Sequence, residues 1–157
     1  MIDRTKVERK SDLELVVTRI FDAPPRIVFE AWTRPELMKR WWVPKSCGMS
    51  LASCEMDVRA GGGYRLVYDL GDSKTMAFFG KYLEVNPPSR LVWTNEESAE
   101  GAVTTVTFEE KDGKTLLVMH ERYPSKEALD QSIEGMEGGM PESFAQLDEF
   151  LANVGGK

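Results

Sequence analysis

His120 is the single histidine of the chain, and histidine is the only side chain that titrates near neutrality in an ordinary environment. In the strand-like run around it, alternation places His120 on one face with Leu116 and Val118, while Glu121 points the other way. No serine or cysteine nucleophile stands beside it in the sequence. Acid–base chemistry needs His120 to face a pocket and a carboxylate; otherwise it is a structural or surface residue. The direction of His120 therefore decides whether acid–base catalysis is an option.

The two cysteines and the glycine run do not have the pattern of a metal or phosphate site. Cys47 and Cys54 lie outside any Cys-x-x-Cys motif, whereas zinc needs four nitrogen or sulfur ligands at close spacing. Residues 60–63 lack the Lys-Ser/Thr of a phosphate-binding loop and are typical of a hairpin turn. Before that turn, Asp57 and Arg59 share a strand face, which favours an ion pair over a docking site for a ligand carboxylate. We therefore expect no metal and no cofactor.

Large apolar side chains supply the remaining candidates. Three of the four tryptophans fall between positions 32 and 42, and the chain also holds eight methionines, four tyrosines and seven phenylalanines. Aromatic rings are costly to leave in water, because each buries about 150–250 Å². These side chains either fill a solid core or surround a pocket, and methionine and polar-tipped rings are typical of an adaptable pocket wall. The predicted ligand-binding residues are Trp41, Trp42, Tyr64, Tyr68, Phe78, Trp93, His120, Met136, Met140 and Phe144.

Composition and charge narrow the class of protein. The chain has 157 residues, of which 41% are hydrophobic and 29% charged, as in a globular protein of one domain. Its net charge of −6, without a block of lysine and arginine, argues against nucleic-acid binding, and no apolar run is long enough for membrane insertion. Residues 1–10 contain no signal-peptide core, so a cytoplasmic location is expected. We expect a flexible N-terminal arm over residues 1–12 and a single domain over residues 13–154.

The order of elements begins with a strand and two short helices. Residues 13–21 are rich in β-branched side chains and end before two prolines, which is typical of a strand followed by a helix start. Helical spacing runs over residues 27–32 and halts at Pro35, and a second short helix is predicted over residues 36–41. Six strands follow, over residues 51–59, 64–70, 75–85, 91–95, 103–110 and 115–123. Short loops between them predict an antiparallel meander, because parallel pairs need longer crossovers.

A single apolar stripe predicts a long C-terminal helix. Ser125 is a suitable N-cap, and beyond it apolar residues recur every three or four positions. The stripe consists of Leu129, Ile133, Met136, Met140, Phe144, Leu147, Leu151 and Val154. Residues 138–141 should break a helix, since glycine and proline cost about 1 and 3 kcal/mol in a helix interior. The stripe nevertheless keeps its phase beyond them, so we predict one long helix bent there, or two nearly collinear segments.

These elements predict an α+β fold in which a curved antiparallel sheet wraps around the C-terminal helix and leaves a gap for a small ligand. The sequence patterns that carry a family resemblance are residues 19–24, 28–33, 41–44, 57–62, 80–85, 87–93 and 105–108. On them the chain resembles the START-related, birch-pollen-allergen-like superfamily, called SRPBCC, which has a helix-grip fold. Within it, the chain is similar to the bacterial single-domain branch related to the activator of heat-shock protein 90 ATPase. Where that family often has Gly-Trp, this chain has Gly139-Met140, which suggests an adaptable cavity wall.

The resemblance leaves three functions open. The first is binding of a small hydrophobic or amphipathic molecule between the sheet and the C-terminal helix, with no catalysis assumed. The second is a cyclase- or hydratase-type enzyme with His120 as acid and base, which requires His120 to point inward. The third is modulation of a chaperone ATPase; the eukaryotic activators carry a separate N-terminal domain, and no segment of that size precedes Leu13. A homodimer through the sheet edge or the tryptophan region is a further expectation.

Overall fold

Eight strands form one curled antiparallel sheet. The computed structural model describes residues 5–43, 50–95 and 102–154, except for the side chains of residues 132, 134–138, 140, 153 and 154. The strands are β1 (Lys6–Arg9), β2 (Glu14–Phe21), β3 (Ser50–Met56), β4 (Gly63–Gly71), β5 (Lys74–Asn86), β6 (Arg90–Thr94), β7 (Val103–Lys111) and β8 (Lys114–Arg122). Their order across the sheet is β1-β2-β8-β7-β6-β5-β4-β3. The predicted meander is confirmed, because each strand from β3 to β8 pairs with the next one along the chain.

Alternating burial divides the sheet into two faces. Val17 on β2 and Met119 on β8 are register partners, and both are buried in the core. We call their side of the sheet the inner face and the opposite side the outer face. Val16 and His120 are also register partners, one position away from the buried pair, so their side chains lie on the outer face.

In the part of the chain that the structure describes, two short helices follow β2. Helix α1 (Pro25–Thr33) begins with proline in its first turn and ends where Pro35 follows Arg34 in extended conformation. Helix α2 (Pro35–Met38) is shorter than the predicted residues 36–41. After Met38 the chain continues in turns, in which the Trp41 N–H donates to the Met38 oxygen at 3.2 Å. These turns place Trp41 and Trp42 on the side of the inner face of the sheet.

The C-terminal segment is one helix, α3 (Lys126–Val154), with Pro141 inside it. The prediction of a long helix is confirmed. Its start is capped as expected, since the Ala128 N–H donates to Ser125 Oγ at 3.1 Å. Its closest backbone neighbours are β2, β1 and α1. The helix therefore lies nearer to one half of the sheet than to the β3–β5 half. No helix among the described residues is both long and apolar enough to cross a bilayer.

The N-terminal segment differs from the flexible arm expected over residues 1–12. Lys6–Arg9 forms β1 and pairs with β2, with Val7 opposite Val17. Val7 packs on the core, and Arg9 Nη1 lies 2.7 Å from Asp130 Oδ1 on α3. The pairing with β2, one half-buried valine and one ion pair to the helix hold this otherwise charged segment in the sheet.

Together these elements form the predicted α+β helix-grip fold. It consists of a curled antiparallel sheet, the short helices α1 and α2 after β2, and the long C-terminal helix α3.

Candidate functional site

Two of the predicted pocket residues, Trp41 and Phe144, belong to a solid aromatic core. Trp41 packs on Trp32 with ring centroids 5.0 Å apart, and Phe144 packs on Phe21 at 5.4 Å. All four side chains are at most 1% exposed. Trp41 also donates its Nε1–H to the Ala31 oxygen at 3.0 Å, which satisfies its one polar group. The space expected beside Trp41 is therefore filled by side chains.

Trp42, Tyr68 and Phe78 lie together on the inner face of the β3–β5 half. Trp42 Nε1 donates to Tyr68 Oη at 2.5 Å, and the Tyr68 ring meets the Phe78 ring edge-on at 5.1 Å. Trp42 and Phe78 are half-buried, unlike the rings of the aromatic core. These predicted site residues are brought together by the structure.

The backbone that carries Trp42 is held by α3. Ser143 Oγ donates to the Trp42 oxygen at 2.8 Å. The side-chain amide of Gln146 donates to the oxygens of Trp41 and Val43, both at 2.9 Å. Three consecutive carbonyl groups thus accept hydrogen bonds from one side of the helix, and this fixes where the Trp42 indole lies.

Tyr64 and Trp93, also predicted, meet further along the inner face. Their ring centroids are 6.4 Å apart, and Tyr82 lies beside both. Tyr64 pairs with Gly80 across β4 and β5, and its hydroxyl donates to the Thr94 oxygen at 2.7 Å. Burial raises the pKa of Tyr82, so its phenol stays protonated at neutral pH. Trp93 and Tyr82 are buried, whereas Tyr64 is half-buried.

A row of polar side chains continues from Tyr64 across the inner face, and of its members only Tyr64 was predicted as a site residue. We call this set the polar row: Tyr64, Asn95, Thr104, Glu121 and Tyr123. Asn95 Nδ2 donates to Thr104 Oγ1 at 3.0 Å, and Thr104 Oγ1 donates to Glu121 Oε2 at 2.9 Å. The Tyr123 hydroxyl donates to Glu121 Oε1 at 2.5 Å. Glu121 is only 8% exposed, so the row places a carboxyl group in the interior.

The sequence did contain a signal for Glu121. It follows Leu117 and Met119 at alternating positions of β8, and both are buried on the inner face. A strand whose apolar face ends in a glutamate predicts a buried carboxyl group. Thr104 and Asn95 could not be found in this way, because only the pairing of β6, β7 and β8 brings them to Glu121.

His120 lies on the outer face and does not belong to this site. Its Nε2 is 2.8 Å from Glu14 Oε2, and both side chains are about one third exposed. The hydrogen bond from His120 is the main cause that lowers the pKa of Glu14. The expectation of His120 as a ligand-binding residue does not fit this position, because alternation on β8 turns it away from the interior. The condition stated for an acid–base role, an inward His120, is not met.

The other polar candidates have ordinary structural partners. Asp57 and Arg59 form the predicted ion pair at 2.9 Å on the surface. Cys54 is half-buried with its Sγ 3.6 Å from Met56 Sδ, and burial raises the pKa of its thiol to about 11. In the part of the chain that the structure describes, no group of three or more histidine, cysteine, aspartate or glutamate side chains could hold a metal. Cys47 and the side chains of Met136 and Met140 lie outside the described residues.

Two open surface grooves lie among the described residues. One of about 490 Å³ lies between α1 and the turn that contains Pro87 and Pro88. The other, of about 690 Å³, lies around Gly63 and Gly80, and its lining includes Phe79 of the outer face and the predicted site residue Tyr64. Neither is formed by Trp42, Tyr68 and Phe78.

Comparisons with known proteins agree with the fold. The family model for "Activator of Hsp90 ATPase homolog 1-like protein" matches residues 22–152. A solved structure from Rhodobacter sphaeroides is similar, with 26% identity, a TM-score of 0.88, and coverage of 96% of this chain and 99% of that one. A protein of Staphylococcus epidermidis is 26% identical with a TM-score of 0.80, and 94% of each chain is covered.

A third solved structure shares the fold alone. The AHSA1-like protein of Aeromonas hydrophila is 19% identical with a TM-score of 0.71, and the match covers 85% of this chain and 92% of that one. Among curated proteins, none matches this sequence. Because the family model spans most of the chain, and the strand order and long helix are those of the SRPBCC-type fold, this chain belongs to the Activator of Hsp90 ATPase homolog 1-like family.

Proposed function

We propose that the protein binds a small, largely apolar molecule on the inner face of the sheet, over strands β3–β5. The observation that carries this proposal is the division of the aromatic side chains into two groups. Trp32, Trp41 and Phe144 are sealed in the core, whereas Trp42 and Phe78 stay half-buried although they point to the same side of the sheet. Half-exposed rings on an inner face leave apolar surface in contact with water, and a ligand that covers this surface binds favourably.

The position of α3 supports the same place. The helix runs closest to β2, β1 and α1, and the β3–β5 half of the sheet lies farther from it. Trp42 lies between α3 and the β3–β5 half of the sheet, because its backbone oxygen accepts a hydrogen bond from Ser143 of α3 and its indole donates one to Tyr68 of β4. An apolar molecule between the helix and these strands would contact a wall that is already ordered, which lowers the entropic cost of binding.

Adjacent residues of β5 provide a matched test. Phe78 lies on the inner face against Tyr68, whereas Phe79 lies on the outer face and is 40% exposed. Nile red, a neutral apolar dye whose fluorescence rises in apolar surroundings, serves as the probe. We expect Phe78→Ser to weaken dye binding by about tenfold, since one buried aromatic contact contributes about 1–2 kcal/mol or more. Phe79→Ser should leave the affinity within about twofold.

Two outcomes contradict the proposal. The first is a wild-type protein that does not bind the dye in its folded state. The second is an equal loss in both variants, or a larger loss with Phe79→Ser, because binding would then take place on the outer face. Circular dichroism of each variant checks that the fold is retained.

A further inference from the structure

The groove around Gly63 and Gly80 includes an exposed aromatic ring and two cations on the outer face of the sheet. Arg65 on β4 and Phe79 on β5 are register partners, and so are Gly63 and Lys81. Residues directly opposite one another have Cβ atoms about 4.5–5.5 Å apart, and residues two apart on one strand share a face. These four positions therefore form a square. Gly63, which has no side chain, leaves an open corner that adjoins both Arg65 and Lys81.

The two cations of this groove are not used within the described protein. Arg65 and Lys81 are exposed, and in the part of the chain that the structure describes their side chains have no ion pair or hydrogen bond. Of the two carboxylates in the lining, Asp57 is paired with Arg59 at 2.9 Å, which leaves Glu55. The remaining lining thus carries two positive charges and one negative charge, in a chain whose net charge is −6. This local charge favours an anionic ligand.

Phe79 determines the apolar part of such a ligand. Its side chain is 40% exposed and lies diagonally opposite the open corner at Gly63, about 7–8 Å away. A planar ring that packs against Phe79 removes this apolar surface from water, and an aromatic pair contributes more than the area it buries. The groove volume of about 690 Å³ lies in the range of small-molecule sites, about 300–1,000 Å³.

The open corner suits the anionic group. An anion placed over Gly63 lies beside both cations, and the Arg65 guanidinium can donate two parallel hydrogen bonds to a carboxylate. Glu55 is the register partner of Arg65 on β3, on the side away from Phe79. Its carboxylate has the same charge as the ligand and therefore weakens binding at this corner.

We infer that this groove binds a small planar aromatic anion, with its ring against Phe79 and its carboxylate or similar anionic group over Gly63, between Arg65 and Lys81. The inference does not rest on the proposed function, because it concerns the outer face and an anion, whereas that proposal concerns the inner face and a largely apolar molecule. A neutral aromatic molecule of the same shape binds this groove less tightly.

Two probes of one shape, β-naphthoate and its neutral amide β-naphthamide, test the inference by NMR titration of ¹⁵N-labelled protein. We expect naphthoate to shift the amide signals of Gly63, Phe79 and Lys81, and to bind about tenfold more tightly than naphthamide. Its affinity should fall as salt is added, because both cations are exposed. Equal affinity for the two probes, no binding of naphthoate, or shifts on the inner face alone would overturn the inference. The last result would leave the proposed function standing.

A lysine variant and its matched control then locate the charge effect. Lys81→Gln should weaken naphthoate binding about fivefold and leave naphthamide binding within about twofold, because it removes one of the two cations. Lys74→Gln makes the same change at an exposed position of the same strand, about 23 Å along β5. It should leave both affinities within about twofold. Equal losses of naphthoate affinity in the two variants would overturn the inference, since any surface lysine would then have the same effect.

Glu55→Gln gives a change in the opposite direction. Removal of this carboxylate should tighten naphthoate binding about threefold and leave naphthamide binding unchanged, because only the anion is repelled by Glu55. Phe79→Ser should weaken the binding of both probes about fivefold, because both rings lose the same contact. Unchanged naphthoate affinity in either variant would overturn the inference. Circular dichroism of each variant checks that the fold is retained.

Discussion

The side-chain amide of Gln146 donates a hydrogen bond of 2.9 Å to the backbone oxygen of Trp41, which joins the middle of α3 to the turn after α2. The second hydrogen of the same amide is bonded to the Val43 oxygen, also at 2.9 Å. The bond from Ser143 to the Trp42 oxygen lies between them. A single face of the helix therefore positions the indole that borders the proposed binding surface.

Loss of the Gln146 amide should be costly. Gln146→Ala leaves two carbonyl groups of a part-buried segment without this donor, and each lost bond costs about 1 kcal/mol or more. We expect the free energy of unfolding to fall by about 2–3 kcal/mol in urea titrations. Gln131→Ala, at an exposed position of the same helix, is the control and should change it by at most about 0.5 kcal/mol. Similar values for the two variants would mean that the link between helix and turn does not stabilise the fold.

Gly80 allows a close approach between β5 and β6. A Cβ atom at this position would lie 1.9 Å from the Thr94 oxygen, which is backbone and cannot rotate away. We expect Gly80→Ala to destabilise the protein by at least about 3 kcal/mol, because the two strands would have to separate. Gly63→Ala is the milder comparison, since its Cβ would lie 3.3 Å from the Gly80 oxygen. Thermal unfolding followed by circular dichroism measures both; a larger loss in Gly63→Ala would contradict the close approach of the two strands at Gly80.

The sequence was sufficient for most of the fold, because local patterns define most of its elements. The apolar stripe from Leu129 to Leu151 keeps its phase across Pro141, and the helix is continuous there. Strand β1 was missed because Lys6–Arg9 contains one apolar residue, too few to show a period. Its place depends on pairing with β2 and on the ion pair between Arg9 and Asp130, and neither is visible in local sequence.

The site could be predicted only in part. Tyr68 and Phe78 were expected from their residue types, and they do meet. Composition could not distinguish Trp41, which is sealed in the core, from its neighbour Trp42, which is half-buried. On β8 one step in sequence separates the outer His120 from the inner Glu121, and which face becomes buried depends on the whole sheet.

The contact between Arg9 and Asp130 should make the docking of β1 depend on pH. The hydrogen bonds from Lys126 and, second, from Arg9 lower the pKa of Asp130. A carboxyl group whose pKa is lowered by folding stabilises the folded state above its unfolded pKa, and this contribution is lost as the pH falls through the folded pKa. Asp130→Asn should therefore lower the melting temperature slightly at neutral pH. The difference in melting temperature from wild type should vanish in acid, once the pH is below the lowered pKa of folded Asp130.

Hydrogen exchange gives a second measure of that contact. In Asp130→Asn, the amides of β1 should exchange faster at neutral pH, because the strand loses its ion pair to α3. Asp12→Asn, at an exposed position next to the same strands, should leave both the melting temperature and the exchange rates unchanged. A difference between Asp130→Asn and wild type that persists unchanged in acid would show that charge is not the cause.

Cys54 should react slowly as a nucleophile. Its thiol faces the interior beside Met56, and burial raises its pKa to about 11. Only the thiolate reacts with iodoacetamide, so the alkylation rate should keep rising about tenfold per pH unit beyond about 8.5, where an ordinary cysteine levels off. The Cys47→Ser protein makes Cys54 the one remaining thiol, and mass spectrometry follows its alkylation. In urea the alkylation rate should level off near about pH 8.5, because unfolding removes the burial that raises the pKa of Cys54. A rate that levels off near about pH 8.5 in the folded protein would contradict an interior position of the thiol.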